Sequence, residues 1–329
     1  MITRRLGMAS VGAACATFSF PSLGAGYPEK PVRVIVPYGP GNSAHTAARL
    51  LLDRLSERIG VQFLLDPKPG ANGLIGLQMA VKSPPDGYTL VVTSLGPIVI
   101  SPTMLKSMPF DPLKDLIPVA GLVSNVMVLV ASNHFPARTL NEAIDLIKAS
   151  PGKYAYGTYG PGSFNQLLTG TVCRALGLDM IEVGYKSGAE VQTEVLAGRV
   201  SLLFDVLQNL SGHIKAKTVK TLAVSAAQRS PLLPDVPTLQ ESGIAKLAGI
   251  NAQAWSALFA PAGTPQSVVD WLNREVKEAF KDPTFRSKFD FISADTFPPQ
   301  TAAQFAAFVR DEHQKWGKTV TELGFKNSQ

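Results

Sequence analysis

Cysteine is nearly missing: two in 329 residues, so no disulfide framework can carry the fold. Histidine is almost as scarce. The four, at 45, 134, 213 and 313, are scattered, with no second His or Cys at metal-ligand spacing and no H-E-x-x-H, and no metal site is expected. No apolar run reaches the roughly 20 residues that a membrane span needs. The net charge is only +6, and two of those charges are Arg4 and Arg5 in the first few residues, which leaves nucleic acid little to bind. Catalytic signatures are missing too. There is no Gly-x-Ser-x-Gly elbow and no G-x-x-x-x-G-K-[ST] loop, so neither a serine hydrolase nor a P-loop NTPase is indicated, and no catalytic residue is assigned. What remains is an ordinary globular composition, 45% hydrophobic and 17% charged, which excludes a disordered or collagen-like chain. Its length predicts about two domains.

The start differs in kind from the rest. Met1 to Arg5 is short and basic, Leu6 to Phe20 is an uncharged run of small and apolar residues, and Ser22-Leu23-Gly24-Ala25-Gly26 offers small residues to a signal peptidase. Residues 1–26 are therefore expected to be an export signal, cut after Ala25 or Gly26, and the mature chain to be periplasmic. Cys15 lacks the large aliphatic residue expected three places before a lipidated Cys. Cys173 is then the single mature thiol.

Strands and helices alternate after the leader. Pro31 to Pro37 is a β-rich run ending in Tyr38-Gly39-Pro40-Gly41-Asn42-Ser43. Ala48, Leu51, Leu52, Leu55 and Ile59 then recur at helical spacing up to Gly60. Gln62–Leu65 and Tyr88–Thr93 read as further strands around a helix from Asn72 to Lys82. The pattern restarts after Asn133: a Thr139-x-x-Glu142 capping box, a strand at Tyr154–Thr158, and a helix from Ser163-x-x-Gln166 to Leu176. Strands follow at Ile181–Val183, at a run ending Leu203-Phe204-Asp205, and at Thr221–Ser225. Beyond Trp255–Ala260, helices open at Thr264-Pro265 and Thr301-x-x-Gln304. The rhythm predicts two α/β units.

Two Gly-rich turns bear on function. Gly39-x-Gly41-x-x-Ala44, with Asp66 ending the next strand, outlines a dinucleotide fingerprint, but Pro40 removes a backbone N–H and the third Gly is Ala; no cofactor is expected. Gly39–Ser43 and Gly160–Ser163 each precede a helix, one in each unit. Helix N-termini bring unpaired N–H groups and a partial positive charge, so the pair suits an anion held between the units at the carboxyl ends of their strands.

The chain also resembles a known family. Tyr27-Pro28-x-Lys30-Pro31-Val32-Arg33-x-Ile35-Val36-Pro37-Tyr38-x-Pro40-Gly41 is similar to the mature start of the substrate-binding receptors of tripartite tricarboxylate transporters, the Bug-type periplasmic receptors. The similarity continues through Pro69-Gly70-Ala71-Asn72-Gly73, Pro85-Asp86-Gly87-Tyr88-Thr89-Leu90, Phe204-Asp205, Leu233-Pro234-Asp235-Val236-Pro237-Thr238 and Ala260-Pro261-Ala262-Gly263-Thr264-Pro265. It implies an α/β, two-lobed periplasmic binding protein of type II-like form, each lobe a mainly parallel sheet flanked by helices. Lobe one would comprise 27–125 and 250–329, and lobe two 126–249. Two crossover strands, near Val126–Ala131 and Ala254–Ala260, would form the hinge.

The implied function is a monomeric receptor that captures a small organic carboxylate and delivers it to the membrane components of such a transporter, without catalysis, cofactor or nucleic acid. A periplasmic sensor using the same fold is the alternative, and a dinucleotide-dependent enzyme a distant third. Backbone N–H groups around Gly41, Asn42 and Ser43 and around Gly162, Ser163 and Asn165 are expected to hold one carboxylate. The hydroxyls of Thr93, Ser94 and Ser163 would meet its remaining lone pairs, with Tyr38 and Phe164 as walls. Asp205 would accept from a ligand hydroxyl or brace the cleft, and Tyr185 is placed near it. The family usually has Asp where this chain has His45, and His45 is expected to favour ligands without an ammonium group. Gln166 where many relatives have His, and Gly184 in place of Pro, are further departures.

Overall fold

The computed structural model describes residues 26–291, 294–322 and 324–325. The expected leader up to Ala25, with Cys15, lies outside the described residues. Among the described residues ten strands run in chain order: β1 Val32–Val36, β2 Phe63–Pro67, β3 Thr89–Ser94, β4 Leu116–Ser132, β5 Ala155–Thr158, β6 Ile181–Gly184, β7 Leu202–Val206, β8 Val219–Val224, β9 Gln253–Pro261 and β10 Asp295–Thr296. The helices are α1 Ser43–Ile59, α2 Leu74–Val81, α3 Ser101–Met104, α4 Pro112–Asp115, α5 Leu140–Lys148, α6 Phe164–Leu176, α7 Gly188–Leu196, α8 Leu207–Lys215, α9 Gln266–Lys281, α10 Pro283–Phe291 and α11 Ala302–Glu322.

Strand β4 organises the molecule. Over Leu116–Val126 it pairs antiparallel with β9, and over Met127–Ser132 it pairs antiparallel with β7 and β8, so one strand belongs to two sheets. The first sheet runs β2-β1-β3-β9-β4 with β10 on β4; the second carries β4-β7-β5-β6 with β8 on β4. The three outer strands of each sheet are parallel, as βαβ connections require, and only ladders that involve β4 or β9 are antiparallel. Residues Ala254–Ala260 do not themselves cross between sheets. They fill the first sheet between β3 and β4, and the return from the second sheet comes just before them, where Ala252 N–H donates to Ser225 O at 3.0 Å and Gln253 pairs with Val126.

Alternation along the strands sorts the cores. In β1, Val32, Val34 and Val36 face a cluster closed by Ala47, Leu51 and Leu55 of α1, Val269 and Leu272 of α9, and Phe285 and Phe289 of α10. Ile35 points the other way, toward Leu77 of α2 and Phe305, Val309 and Trp316 of α11. In β4, Val128 and Val130 meet Val191, Val195 and Leu210 of α7 and α8, while Leu129 and Ala131 meet α5 and α6. The C-terminal helices thus pack on the first sheet. Thr301 and Gln304 form the expected capping box, Thr301 Oγ1 accepting from Gln304 N–H at 3.2 Å and Gln304 Oε1 from Thr301 N–H at 2.9 Å.

The lobes touch. Phe164, at the start of α6, packs edge-on against Trp316 of α11 with centroids 4.9 Å apart, and Ser101 Oγ donates to Gly162 O at 3.3 Å. Gly162 has φ +75, and an added Cβ would lie 2.5 Å from Ser101 Oγ, so only Gly permits this approach.

Candidate functional site: the cleft between the lobes

The carboxyl ends of β1, β3, β5 and β7 converge on the gap between the sheets. After β1, Asn42 caps α1, its Oδ1 accepting from Ala44 N–H at 2.9 Å, and Ser43 is buried behind it. Tyr38 leans across the end of β3, its hydroxyl 2.6 Å from Ser94 Oγ and 3.4 Å from Thr93 Oγ1; burial raises its pKa against the lowering effect of those hydroxyls.

After β5 the turn into α6 departs from the expected cap. Ser163 Oγ does not accept from the helix; it donates to Gly160 O at 2.7 Å. Gln166 Oε1 instead accepts from Gly162 N–H at 2.9 Å, and Gln166 Nε2 is held by Glu182 Oε1 at 2.7 Å. Glu182 also accepts from the hydroxyls of Tyr156 and Thr158, so one carboxylate on β6 braces the whole turn. Asn165 Oδ1 accepts from Tyr159 N–H at 3.2 Å. At the end of β7, Asp205 is 1% exposed and accepts from Val206 N–H, Asn209 Nδ2 and Gln192 Nε2 at 2.8, 2.9 and 3.1 Å. Burial pushes its carboxyl above the ordinary value despite those hydrogen bonds.

These elements enclose two chambers of about 60 and 160 Å³ that share Tyr38, Asn42, Asn72, Tyr159 and Asn209 as walls. Ser43, Ser94, Ser163, Phe164, Asn165 and Asp205 line the inner one, with Asn125 from β4 and Trp255 from β9. Seven buried side-chain atoms among the described residues have no hydrogen-bond partner, and four of them belong to this lining: Asn72 Nδ2, Asn125 Oδ1, Asn165 Nδ2 and Asn209 Oδ1. Buried polar atoms are normally paired, so this concentration marks the cleft as the place where a polar molecule completes the structure. Among the described residues no Lys or Arg lines the inner chamber, and Lys186 stands at the outer one. The groups available there to an anion are amides and the starts of α1 and α6.

Sequence comparison identifies the architecture. Residues 47–325 match the family model of the tripartite tricarboxylate transporter family receptor. The chain belongs to this family. BugT of Bordetella pertussis is 31% identical over 326 residues, covering 99% of each chain. Two solved structures share 28% identity with this receptor: Rpa4515 of R. palustris with adipate (TM-score 0.86; 91% of this chain and 98% of that one) and MatC from Rhodopseudomonas palustris with bound malate (TM-score 0.83; 89% and 100%).

Of the residues singled out in the sequence, Tyr38, Asn42, Ser43, Ser94, Ser163, Phe164, Asn165 and Asp205 line the inner chamber, and Gly41 the outer. Four others lie back from it. Thr93 is fully buried behind Tyr38, and the backbone of Gly162 is engaged by Gln166 and Ser101. Tyr185 packs beside the α7–α8 cluster. His45 is half-buried in the first turn of α1 and lines neither chamber; burial, then the charge of Arg49, lowers its pKa. Asn72, Asn125, Asn209 and Trp255 were not anticipated. Asn72 stands inside a motif that signalled only the family, and nothing local distinguishes Asn125 or Asn209 from surface amides.

Proposed function

We propose that the protein is a periplasmic receptor that closes two lobes on a small carboxylate and hands it to the membrane components of a tripartite tricarboxylate-type transporter. It acts as an exported monomer, with no catalytic step and no cofactor. Lobe one takes 27–125 and 250–329, lobe two 126–249, and closure occurs about β4 near Val126 and the return segment at Ala252 and Gln253. The observation that carries this reading is the set of unpartnered amide atoms in the cleft, contributed from both sides of the crossover and backed by two helix N-termini. The relatives solved with adipate and with malate support the ligand class. Mass spectrometry of the protein purified without denaturation, followed by thermal shift against a panel of small organic acids, tests it. Co-purification of an acid, or stabilisation that grows with acid concentration as linkage requires, is expected. Stabilisation by no acid, together with release of only a non-acidic ligand, would overturn the proposal.

A further inference from the structure

Two amides that line the inner chamber present opposite hydrogen-bonding sense to it, because neighbours fix the orientation of each. Asn165 Oδ1 accepts from Tyr159 N–H; turned over, the amide would set NH2 against N–H, so Nδ2 is the atom left without a partner. Asn209 Nδ2 donates to Asp205 Oδ1 at 2.9 Å and to Tyr159 Oη at 3.4 Å. Turned over, it would set a carbonyl oxygen against a carboxylate, so Oδ1 is the atom left without a partner. Asn165, 2% exposed at the start of α6, therefore lacks an acceptor, and Asn209 lacks a donor. Asp205 reinforces the second of these. It lines the same chamber, is buried, and has no Lys or Arg beside it there.

We propose, building on the receptor reading above, that the ligand is a carboxylate whose far end is a hydrogen-bond donor, an amide, hydroxyl or ammonium group, and not a second carboxylate. Its carboxylate meets Asn165 Nδ2 and the starts of α1 and α6. Its donor meets Asn209 Oδ1 beside Asp205. A second carboxylate there would face the acceptor oxygen of Asn209 beside the buried carboxyl of Asp205, and the one Lys near Asn209, Lys186, lines the outer chamber and not the inner. In this the receptor differs from its relatives solved with adipate and malate, both diacids.

Acids matched in length but not in end group test this by calorimetry on the mature protein freed of bound ligand: succinamate against succinate, adipamate against adipate, with γ-hydroxybutyrate, γ-aminobutyrate and butyrate completing the shorter series. At the chain length that binds, the tightest donor-ended acid should exceed its diacid by about tenfold or more, the size expected when a buried acceptor is paired in one complex and opposed in the other. Which donor wins assigns the end group. Asn209→Leu should abolish the advantage of that acid over the unsubstituted one. Asn209→Ser, which shortens the side chain without an apolar substitute, serves if Asn209→Leu does not fold. A diacid that binds as tightly as its monoamide overturns this inference but leaves the receptor reading standing. Binding of no acid in either series overturns both.

Discussion

Asn165→Asp changes the chemistry of one atom and almost nothing of the shape. Oδ1 continues to accept from Tyr159 N–H at 3.2 Å, while the atom that has no partner turns from a donor into an anionic oxygen. In the ligand-free protein the new charge sits in the first turn of α6, where the helix start favours it by about 0.3–1 kcal/mol and burial opposes it. Stability should shift by less than about 2 kcal/mol, a few degrees in Tm for a chain of this size. Binding should respond far more. The complex loses a hydrogen bond to a charged group, about 1.5–3 kcal/mol. It also gains repulsion of about 4 kcal/mol if the two charges stand about 4 Å apart at an effective dielectric near 20. Even a fraction of that sum predicts at least about a hundredfold loss of affinity, since about 1.4 kcal/mol is tenfold. Asn165→Ala, which removes the donor without adding charge, should lose about tenfold or somewhat more. Trp255 lines the inner chamber, so its fluorescence during titration with the tightest acid of the matched series provides the signal, and circular dichroism melts provide the stability control. A folded Asn165→Asp protein that binds within about threefold of wild type would refute the reasoning, because Nδ2 would then not face the ligand.

Four further outcomes follow from contacts outside the ligand's reach. Gly162→Ala places a Cβ 2.5 Å from Ser101 Oγ and an L-residue at φ +75, so the ligand-saturated variant should remain more expanded than wild type in solution scattering, with Ser101→Gly recovering part of the compaction; full compaction of the single variant would count against a lobe-closing role. Glu312 Oε2 accepts from the indole N–H of Trp255 at 3.1 Å and of Trp316 at 2.9 Å. Glu312→Ala should therefore cost about 1–3 kcal/mol per orphaned donor, seen as a fall in chemical-denaturation midpoint, and an unchanged midpoint would contradict that. Burial, then the charge of Glu182, pushes the Cys173 thiol from 9.0 to about 12, so Ellman's reagent at pH 8 should react with it on the order of a thousandfold faster after unfolding. Its proton is held more tightly in the folded state, and the stability it contributes is present below 9.0 and lost as pH rises toward 12. His45 has the opposite sense: its folded pKa lies below the ordinary 6.5, so stability is full above 6.5 and falls as pH drops below it. His45→Gln should flatten melting temperatures over that acid range and leave ligand affinity unchanged; a changed affinity would return His45 to the cleft.

Local chemistry was legible in the sequence wherever it depends on neighbours in the chain. The apolar run of β1, the stripe Ala48-Leu51-Leu52-Leu55 of α1 and the capping box at Thr301 each contain their own reasons, and the structure has them; at Thr139 the cap forms, but Glu142 reaches back to the N–H of Arg138 and not to that of Thr139. Strand β4 was not legible over its length. Pro118 and Gly121 interrupt the strand pattern, and the ladder accommodates them by shifting register at 118/120 and at 121/123, a solution available only once β9 lies alongside. Helix α8 begins at Leu207 directly after β7 with no side-chain cap, so no start signal precedes it. Ser163 looked like a cap because Ser before a helix usually is one; here Gly160 O takes its hydroxyl, and Gln166, fixed by Glu182 from β6, takes over the backbone N–H of Gly162. The amides of the cleft were the hardest to find. An unpartnered atom is a relation between distant residues, and no pattern at Asn125 or Asn209 records it.

Under the lobe closure proposed above, that relation would tie the site to the closed form. Asn72 reaches the cleft from the turn before α2, Asn165 and Asn209 from α6 and α8, and Asn125 from the strand that joins the two sheets. Bringing the lobes together gains the Phe164–Trp316 contact and the Ser101–Gly162 hydrogen bond, yet removes four amide atoms from bulk water without giving them a protein partner. Each such atom costs about 1–3 kcal/mol unless something pairs with it. Closure on nothing is therefore opposed by a penalty of several kcal/mol, and closure on a ligand of matching donors and acceptors is relieved of it. A ligand moves a two-state equilibrium only by its differential affinity for the two states, and here that difference is built into the unpaired amides. An acid that fits the chamber but cannot satisfy them should bind the open protein without closing it.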